Sequence, residues 1–357
     1  MAIRLLHMAD VHLGRAFSYL GERAREHQQR LLRTFEKALE TAHQHQCHAI
    51  LIAGDLFDSP RVARHWVDAA LDRLSAMRLP VVVIPGNHDP AEHHPFSGRT
   101  LPSNLHFLPN AKRHTLPALE LSLVACPAGT AHEWKHLLRR EPNDAPHQIA
   151  LLHGSMPTPD RPGDITPEMV RASQLDYIAL GDWHSPRDFS QSSTTCWYSG
   201  APEMVMPDQQ LPGCTLLVEL EPNQPARAQQ IPVGSARYPA DGEVITLDLT
   251  RFESSQQLVE AIRERLTPET VAQVRLEGRW NGDELLDPFE IRQRLQPFCL
   301  WLRVIPAFQV GTLQPGNPFE QVFASVVAER KVQAPQSVEL LDDALQLGLY
   351  LLRGGRL

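Results

Sequence analysis

The chain has 357 residues, enough for two domains, with 42% hydrophobic residues and a formal net charge of −8. That balance excludes a protein that coats nucleic acid by charge alone, while leaving room for a local basic groove or for an anionic substrate held through metal ions. Five scattered cysteines without a CxxC pair exclude a zinc ribbon and a disulfide framework; no run of 18 apolar residues exists, so the reading is a reduced, cytoplasmic protein without membrane contact.

In chain order, "IRLLHM" (3–8) reads as a buried strand and runs into Asp10 and His12. Glu22 to His45 carries Leu31, Leu32, Phe35, Leu39 and Ala42 at helical spacing. "AILIAG" (49–54) is a second strand, ending in Asp55, and Arg64 to Met77 is a second helix. "VVVIPG" (81–86) ends in Asn87 and His88. "LSLVACP" (121–127), "QIALLHG" (148–154) and "DYIALG" (176–181) follow, the last two ending in His153 and in Asp182 and His184. Alternating strands and helices imply parallel strands with helices on the faces. Ligands gather at the carboxyl ends of such strands, where this chain repeatedly places Asp, His or Asn. The Pro-rich segment 156–167 reads as an ordered loop beside that edge.

Residues 222–242 concentrate Pro, Gly and small polar residues, which sets a boundary between domains 1–236 and 237–357. Beyond it "EVITLDLT", "AQVRLEGRW" and "CLWLRVIP" alternate like strands, with helices over 254–266 and 287–296, as a small α+β domain. An amphipathic helix with an acidic polar face spans 337–355, stopped by Gly354 and Gly355. Residues 241–357 hold 12 Lys/Arg against 17 Asp/Glu, so this domain is no electrostatic cradle for DNA.

Any one Asp-x-His is common, and a lone buried His is more often a satisfied core residue than a ligand. Order and position carry the signal: "ADVHLG", "AGDLFD", "PGNHDP", "LLHGS" and "GDWHSP" each follow a strand. Mixed oxygen and imidazole donors with one Asn carbonyl suit Mn²⁺, with Mg²⁺, Fe²⁺ and Zn²⁺ as alternatives. The set resembles the calcineurin-like metallophosphoesterase family, whose pattern is D-x-H, G-D, G-N-H-D/E, a lone H and G-H-x-H. "GDLFD", "YSGAPE" (198–203) and the early helix after "HLG" are similar to its DNA-repair exonuclease (SbcD-like) branch. The resemblance covers about residues 1–235.

It implies an α/β fold, a β-sandwich with flanking helices, plus a small α+β capping domain at the C-terminus. It also implies two divalent metal ions, with Asp55 as the bridge between them. Asp10, His12 and His184 would complete one site, and Asn87, His153 and Asp182 the other. A hydroxide held by the cations would attack a phosphodiester, with His88 assisting and Asp89 orienting His88. DNA is the implied substrate, a coiled-coil SMC-like ATPase the implied partner, and a homodimer the expected state. Asp182 departs from the family's usual His. A carboxylate is a competent ligand for Mn²⁺; retained there, it would lower the electrophilicity of its metal and favour hard ions over Zn²⁺, and the alternative is that Asp182 no longer binds and the second site is weak or vacant.

Other residues take plainer readings. Arg61 and Arg64 are candidate phosphate contacts or, equally, a solvated helix start, and Asp58 is a turn or capping residue. His93, His94 and His132 sit in loops near the rim, and Trp183 and Trp197 are core residues or stacking surfaces beside the cleft. Tyr198 to Glu203 forms a tight turn under the site. The alternatives are a phosphoesterase for a small nucleotide or a phosphoprotein, and a non-catalytic scaffold protein of the same fold.

Overall fold

The computed structural model describes residues 2–222, 224–280, 286–310 and 314–353, which divide into two compact units, Met1–Ala236 and Arg237–Leu357. The first unit carries strands β1 (Ile3–Met8), β2 (Ala49–Ala53), β3 (Val81–Ile84), β4 (Leu105–Phe107), β5 (Lys112–Leu116) and β6 (Leu121–Cys126). It continues with β7 (His147–His153), β8 (Tyr177–Gly181), β9 (Arg187–Asp188), β10 (Thr195–Tyr198), β11 (Cys214–Leu220) and β12 (Arg227–Pro232). Its helices are α1 (Ala24–Gln44), α2 (Arg64–Ala76), α3 (Ala131–Trp134) and α4 (Pro167–Ser173).

The strands form two six-stranded sheets, ordered β12-β11-β1-β2-β3-β4 and β5-β6-β7-β8-β10-β9. Strands β1 to β4 are parallel in the first, and β6, β7, β8 and β10 in the second. The sheets stack face to face. Leu5, Leu51, Val82, Leu123, Leu151 and Ala179 fill the space between them. The alternate residues of the same strands, Val124, Ala150, Leu152, Ile178 and Leu180, face away and meet Trp134 and Val170 of α3 and α4. A strand buried on both faces has no polar side, so these runs are continuous in apolar residues rather than alternating. Parallel pairing also sends β1, β2, β3, β7 and β8 to the same end of the sandwich.

The segment read as a linker holds one more strand. β12 pairs antiparallel with β11 along Arg227 to Pro232 and forms the edge of the first sheet. Most of its side chains face solvent, and an edge strand tolerates the Pro and polar residues that disguised it.

The second unit holds β13 (Val244–Asp248), α5 (Ser255–Arg263), β14 (Val271–Trp280), α6 (Pro288–Leu295) and β15 (Trp301–Val310) in that order. Helices α5 and α6 each return the chain between strands, so the three strands run parallel, ordered β13-β14-β15. Ile245, Leu258, Ile262, Val274, Leu276, Leu295 and Leu302 make a core of its own. Two helices follow, α7 (Pro318–Gln333) and α8 (Val338–Leu352), packed on each other. The expected C-terminal helix corresponds to α8, whereas α7 was not foreseen; Gly354 and Gly355 lie outside the described residues.

Glu203 ties the turn under the first unit's site to its surroundings. Its buried carboxylate accepts from Thr34 of α1 (2.9 Å), the Met204 amide (2.9 Å), the Ser235 amide and hydroxyl (2.6 and 2.7 Å) and the Ala236 amide (3.1 Å). Burial alone would raise this carboxyl, but the Ser235 and Met204 donors outweigh it and hold it below its ordinary value of 4.5. A carboxyl depressed on folding adds stability above its unfolded pKa, and that stability is lost as pH falls through the folded value. Glu203→Gln is therefore expected to lower the melting temperature near neutral pH, with the gap to wild type closing below about pH 4.5. Thermal unfolding across a pH series reads this directly.

Candidate metal centre

At the common end of the strands the backbone turns sharply. Asp10, His12, Asp55 and Asp182 all have positive φ (54°, 49°, 52° and 109°), a conformation that costs free energy outside glycine and clusters at functional sites. The loops after β1 and β2 are laced together, with the amides of Asp10, His12 and Leu13 donating to the carbonyls of Gly54, Asp55 and Leu56 at 3.0–3.2 Å. Gly86 lets the β3 loop approach, since a Cβ there would lie 2.0 Å from Asp55 Oδ1.

The result is a buried cluster. Asp10 and His12 are fully buried, and Asp55 and His153 nearly so. Asp55 Oδ2 lies 3.7 Å from His12 Nε2 and 3.7 Å from His153 Nε2. Three sets of donor atoms fall within 4.8 Å of one another: Asp10, His12 and His184; His12, Asp55 and His88; and Asp10, Asp55 and His153. His153 Nε2 is also 2.8 Å from Asn87 Oδ1 and 4.0 Å from Asp182 Oδ1. The seven expected ligands thus converge, Asp182 at the margin.

The Nδ1 atoms of His153 and His12 have fixed partners. His153 Nδ1 donates to the Ala53 carbonyl at 2.7 Å, a bond that crosses from the second sheet to the first. His12 Nδ1 lies 3.1 Å from Asp58 Oδ1, which also accepts from Arg15 at 2.9 Å. His12 Nε2 is buried with no hydrogen-bond partner and aims at Asp55. Orienting one ring nitrogen while leaving the other for a cation is the arrangement of metal-binding histidines.

The electrostatics point the same way. Burial raises the Asp10 carboxyl well above its ordinary value; His153 opposes this, and Asp55 and Asp182 add to it. Burial, then Asp55 and Asp164, raises Asp182 against the pull of His153. Burial would lower His153, yet Asp55, Asp10, the Ala53 carbonyl and Asp182 carry it up to about 9. Burial, His12 and Arg15 bring His184 down to about 3, so it is a neutral donor. Crowded buried carboxylates, an imidazole that takes a proton to offset them and an orphaned imidazole nitrogen suit divalent cations.

Several expectations need correcting. Asp89 does not orient His88: its fully buried carboxylate accepts from the amides of Gly86 (2.7 Å), Phe57 (3.0 Å) and Asp55 (3.3 Å), locking the β2 and β3 loops together. His88 is instead held by Asp58, whose carbonyl accepts from its Nδ1 at 3.1 Å, while its own amide donates to Asp55 Oδ1 at 2.8 Å. Asp58 is therefore more than a turn residue; it positions both His12 and His88. His94 lies in the interior, not at the rim, with its ring packed on Phe57, Phe96 and Phe107 and Nε2 3.3 Å from Asp89. His93 and His132 are exposed. Trp197 packs against the sandwich core, whereas Trp183 is 42% exposed. Arg61 and Arg64 are exposed, Arg64 facing Asp68 at 3.5 Å, and neither bonds to a site residue among the described residues. Arg15 was missed, because it lies just past the motif that drew attention to His12.

The loop over 156–167 is tied down by Asp164, which accepts from the Ser155 amide at 2.9 Å. The Tyr198 hydroxyl donates to the Gly154 carbonyl at 2.7 Å and accepts from the Met156 amide at 2.9 Å, fixing the chain just past His153. Gly200 has a φ of 71°, and a Cβ there would lie 2.8 Å from the His184 carbonyl, which accepts from the Ala201 amide at 2.9 Å. That is the close turn expected under the site.

A family model described as "Calcineurin-like phosphoesterase" matches residues 3–186. The chain belongs to this family. Among calcineurin-like phosphoesterases it is similar to the DNA double-strand break repair protein Mre11 of Aeropyrum pernix, 39% identical over 24% of this chain and 21% of that protein. The SbcD component of the nuclease SbcCD of Escherichia coli K12 is 41% identical over 24% of this chain and 21% of that protein. The Mre11 of Methanosarcina acetivorans is 25% identical over 82% of this chain and 48% of that protein. The matches thus span between a fifth and a half of these relatives' lengths. No helix among the described residues of this phosphoesterase is long and apolar enough to cross a membrane.

Because Asp58 holds His12, its removal is expected to loosen a candidate ligand without deleting one. Asp58→Ala should weaken Mn²⁺ binding by about 10- to 100-fold, measured by calorimetric titration of metal-free protein.

Proposed function

We propose that the chain is a phosphodiesterase dependent on two divalent metal ions, a nuclease that cuts DNA in the service of DNA repair. The observation that carries this reading is the placement of Asp55 Oδ2 at equal distance, 3.7 Å, from the Nε2 atoms of His12 and His153. One carboxylate between two imidazoles is what a dinuclear centre needs. Asp10, His12, Asp55 and His184 would hold one ion, and Asp55, Asn87, His153 and Asp182 the other. Two such ions neutralise a phosphodiester and lower the pKa of water. With a carboxylate at 182 the second position favours Mn²⁺ or Mg²⁺ over Zn²⁺.

The chain's own residues do the rest. His88 reaches solvent, its side chain 41% exposed, while its Nδ1–H is committed to the Asp58 carbonyl. Its Nε2 therefore faces substrate and serves to donate a hydrogen bond or a proton to the phosphate oxygens when charged. Arg15, bound to Asp58, sets the positive edge next to it. Asp89 acts through the loops it locks, as a positioning residue.

DNA as substrate rests on the likeness to the repair protein Mre11 and to the nuclease component SbcD. A coiled-coil ATPase of the SMC type as partner follows from the same likeness. The apolar side chains left open on α7 and α8, with Phe319, Val322, Val326, Leu347 and Leu351 all exposed, support a partner on the second unit.

End-labelled single- and double-stranded DNA with Mn²⁺ tests the reading. Degradation that EDTA stops and that His88→Ala slows by about 10²- to 10⁴-fold is expected. Intact DNA alongside hydrolysis of a generic aryl phosphodiester would contradict the nuclease and favour a small substrate. Inactivity on both substrates would favour a non-catalytic scaffold.

A further inference from the structure

Among the described residues of the first unit, the large apolar side chains left exposed are Trp183 (42%) and Met206 (36%), and both lie beside the centre. Trp183 sits between Asp182 and His184. Met206 touches Arg15 through its sulfur at 3.2 Å, and Arg15 is bound to Asp58. An indole that folding leaves in water, on a unit whose described residues otherwise leave only Met206 among the large apolar groups exposed, is available to a ligand.

The ring is also held in place. The Arg187 guanidinium lies 5.7 Å from its centroid and 5.0 Å from that of Phe189, so a cation rests between two aromatic rings. Arg187 is itself exposed on β9, the edge of the second sheet. A flat apolar ring beside a cation, next to a centre for phosphodiesters, matches one chemical class: a nucleobase carried on a phosphate chain.

We propose that Trp183 is a stacking platform for an unpaired nucleobase next to the scissile phosphate, with Arg187 fixing the indole. The proposal rests on the nuclease reading and deepens it, giving the site a preference for strands whose bases are free to leave the duplex. Stacking needs only a π face, so the preference is for unpaired bases and not for a particular sequence.

The test measures binding of a phosphorothioate-linked single strand in Mn²⁺ by fluorescence anisotropy, alongside the same strand made abasic. Wild type, Trp183→Ala and Trp183→Phe are compared, and cutting of the ordinary strand is followed in parallel. Trp183→Ala is expected to lose about 5- to 150-fold in affinity for the base-bearing strand, the range that stacking contributes per base. Trp183→Phe should keep most of that affinity, and all three should bind the abasic strand alike. Equal binding of the base-bearing strand by wild type and Trp183→Ala overturns the platform, as does an equal loss on the abasic strand or a wild type that binds neither. Base-dependent binding without cutting supports the platform while contradicting the nuclease.

Discussion

The structure depends on burying Asp10 and Asp55 together. Two carboxylates removed from water repel each other and forgo hydration, a combination that persists only where opposite charge is supplied. Here the neighbours are imidazoles, one of them pushed up to about 9. Around that charge the backbone accepts left-handed conformations at Asp10, His12, Asp55 and Asp182. The Asp89 carboxylate accepts from the amides of the loops that carry Asp55 and His88. Strain and buried charge of this kind are expected where a cation completes the arrangement.

The same constraint explains why a sandwich is needed. The candidate ligands come from the ends of β1, β2 and β3 in one sheet and of β7 and β8 in the other. Two bonds stitch the sheets at that end: His153 Nδ1 to the Ala53 carbonyl at 2.7 Å, and the Asp182 amide to the Asp10 carboxylate at 3.2 Å. Sliding one sheet on the other would break both and separate His153 from Asp55. The leucines and valines between the sheets therefore set the distances in the centre as well as stabilising the fold.

What the sequence made legible was the part governed by period and order. Strands buried on both faces appear as unbroken apolar runs, and those that feed the centre end in the residues that reach it. Edge strand β12 was hidden because solvent on one side and Pro nearby make a strand look like a linker. Helix α7 has almost no apolar asymmetry to betray it, yet its start is written as Asn317-Pro318 with Glu320 following: the Asn317 side chain accepts from the Glu320 amide at 2.9 Å, a signal that could have been read. In the centre, the candidate ligands followed from the motifs, but the contacts that hold them did not. Adjacency suggested that Asp89 serves His88, whereas the carboxylate turns back to amides of its own loop and of the one after β2. Asp58, whose side chain holds His12 and whose carbonyl holds His88, is close to neither in sequence. Such pairings belong to the folded chain and are invisible to spacing.

The central claim is that Asp55 joins two cation positions into one centre. Titrating Mn²⁺ into metal-stripped wild type and Asp55→Asn, with bound ions counted by elemental analysis and their coupling read by electron paramagnetic resonance, tests it most directly. The account predicts two spin-coupled ions per wild-type chain and weakening of both in the variant. A single ion, or two uncoupled ions of which the variant loses only one, would contradict it.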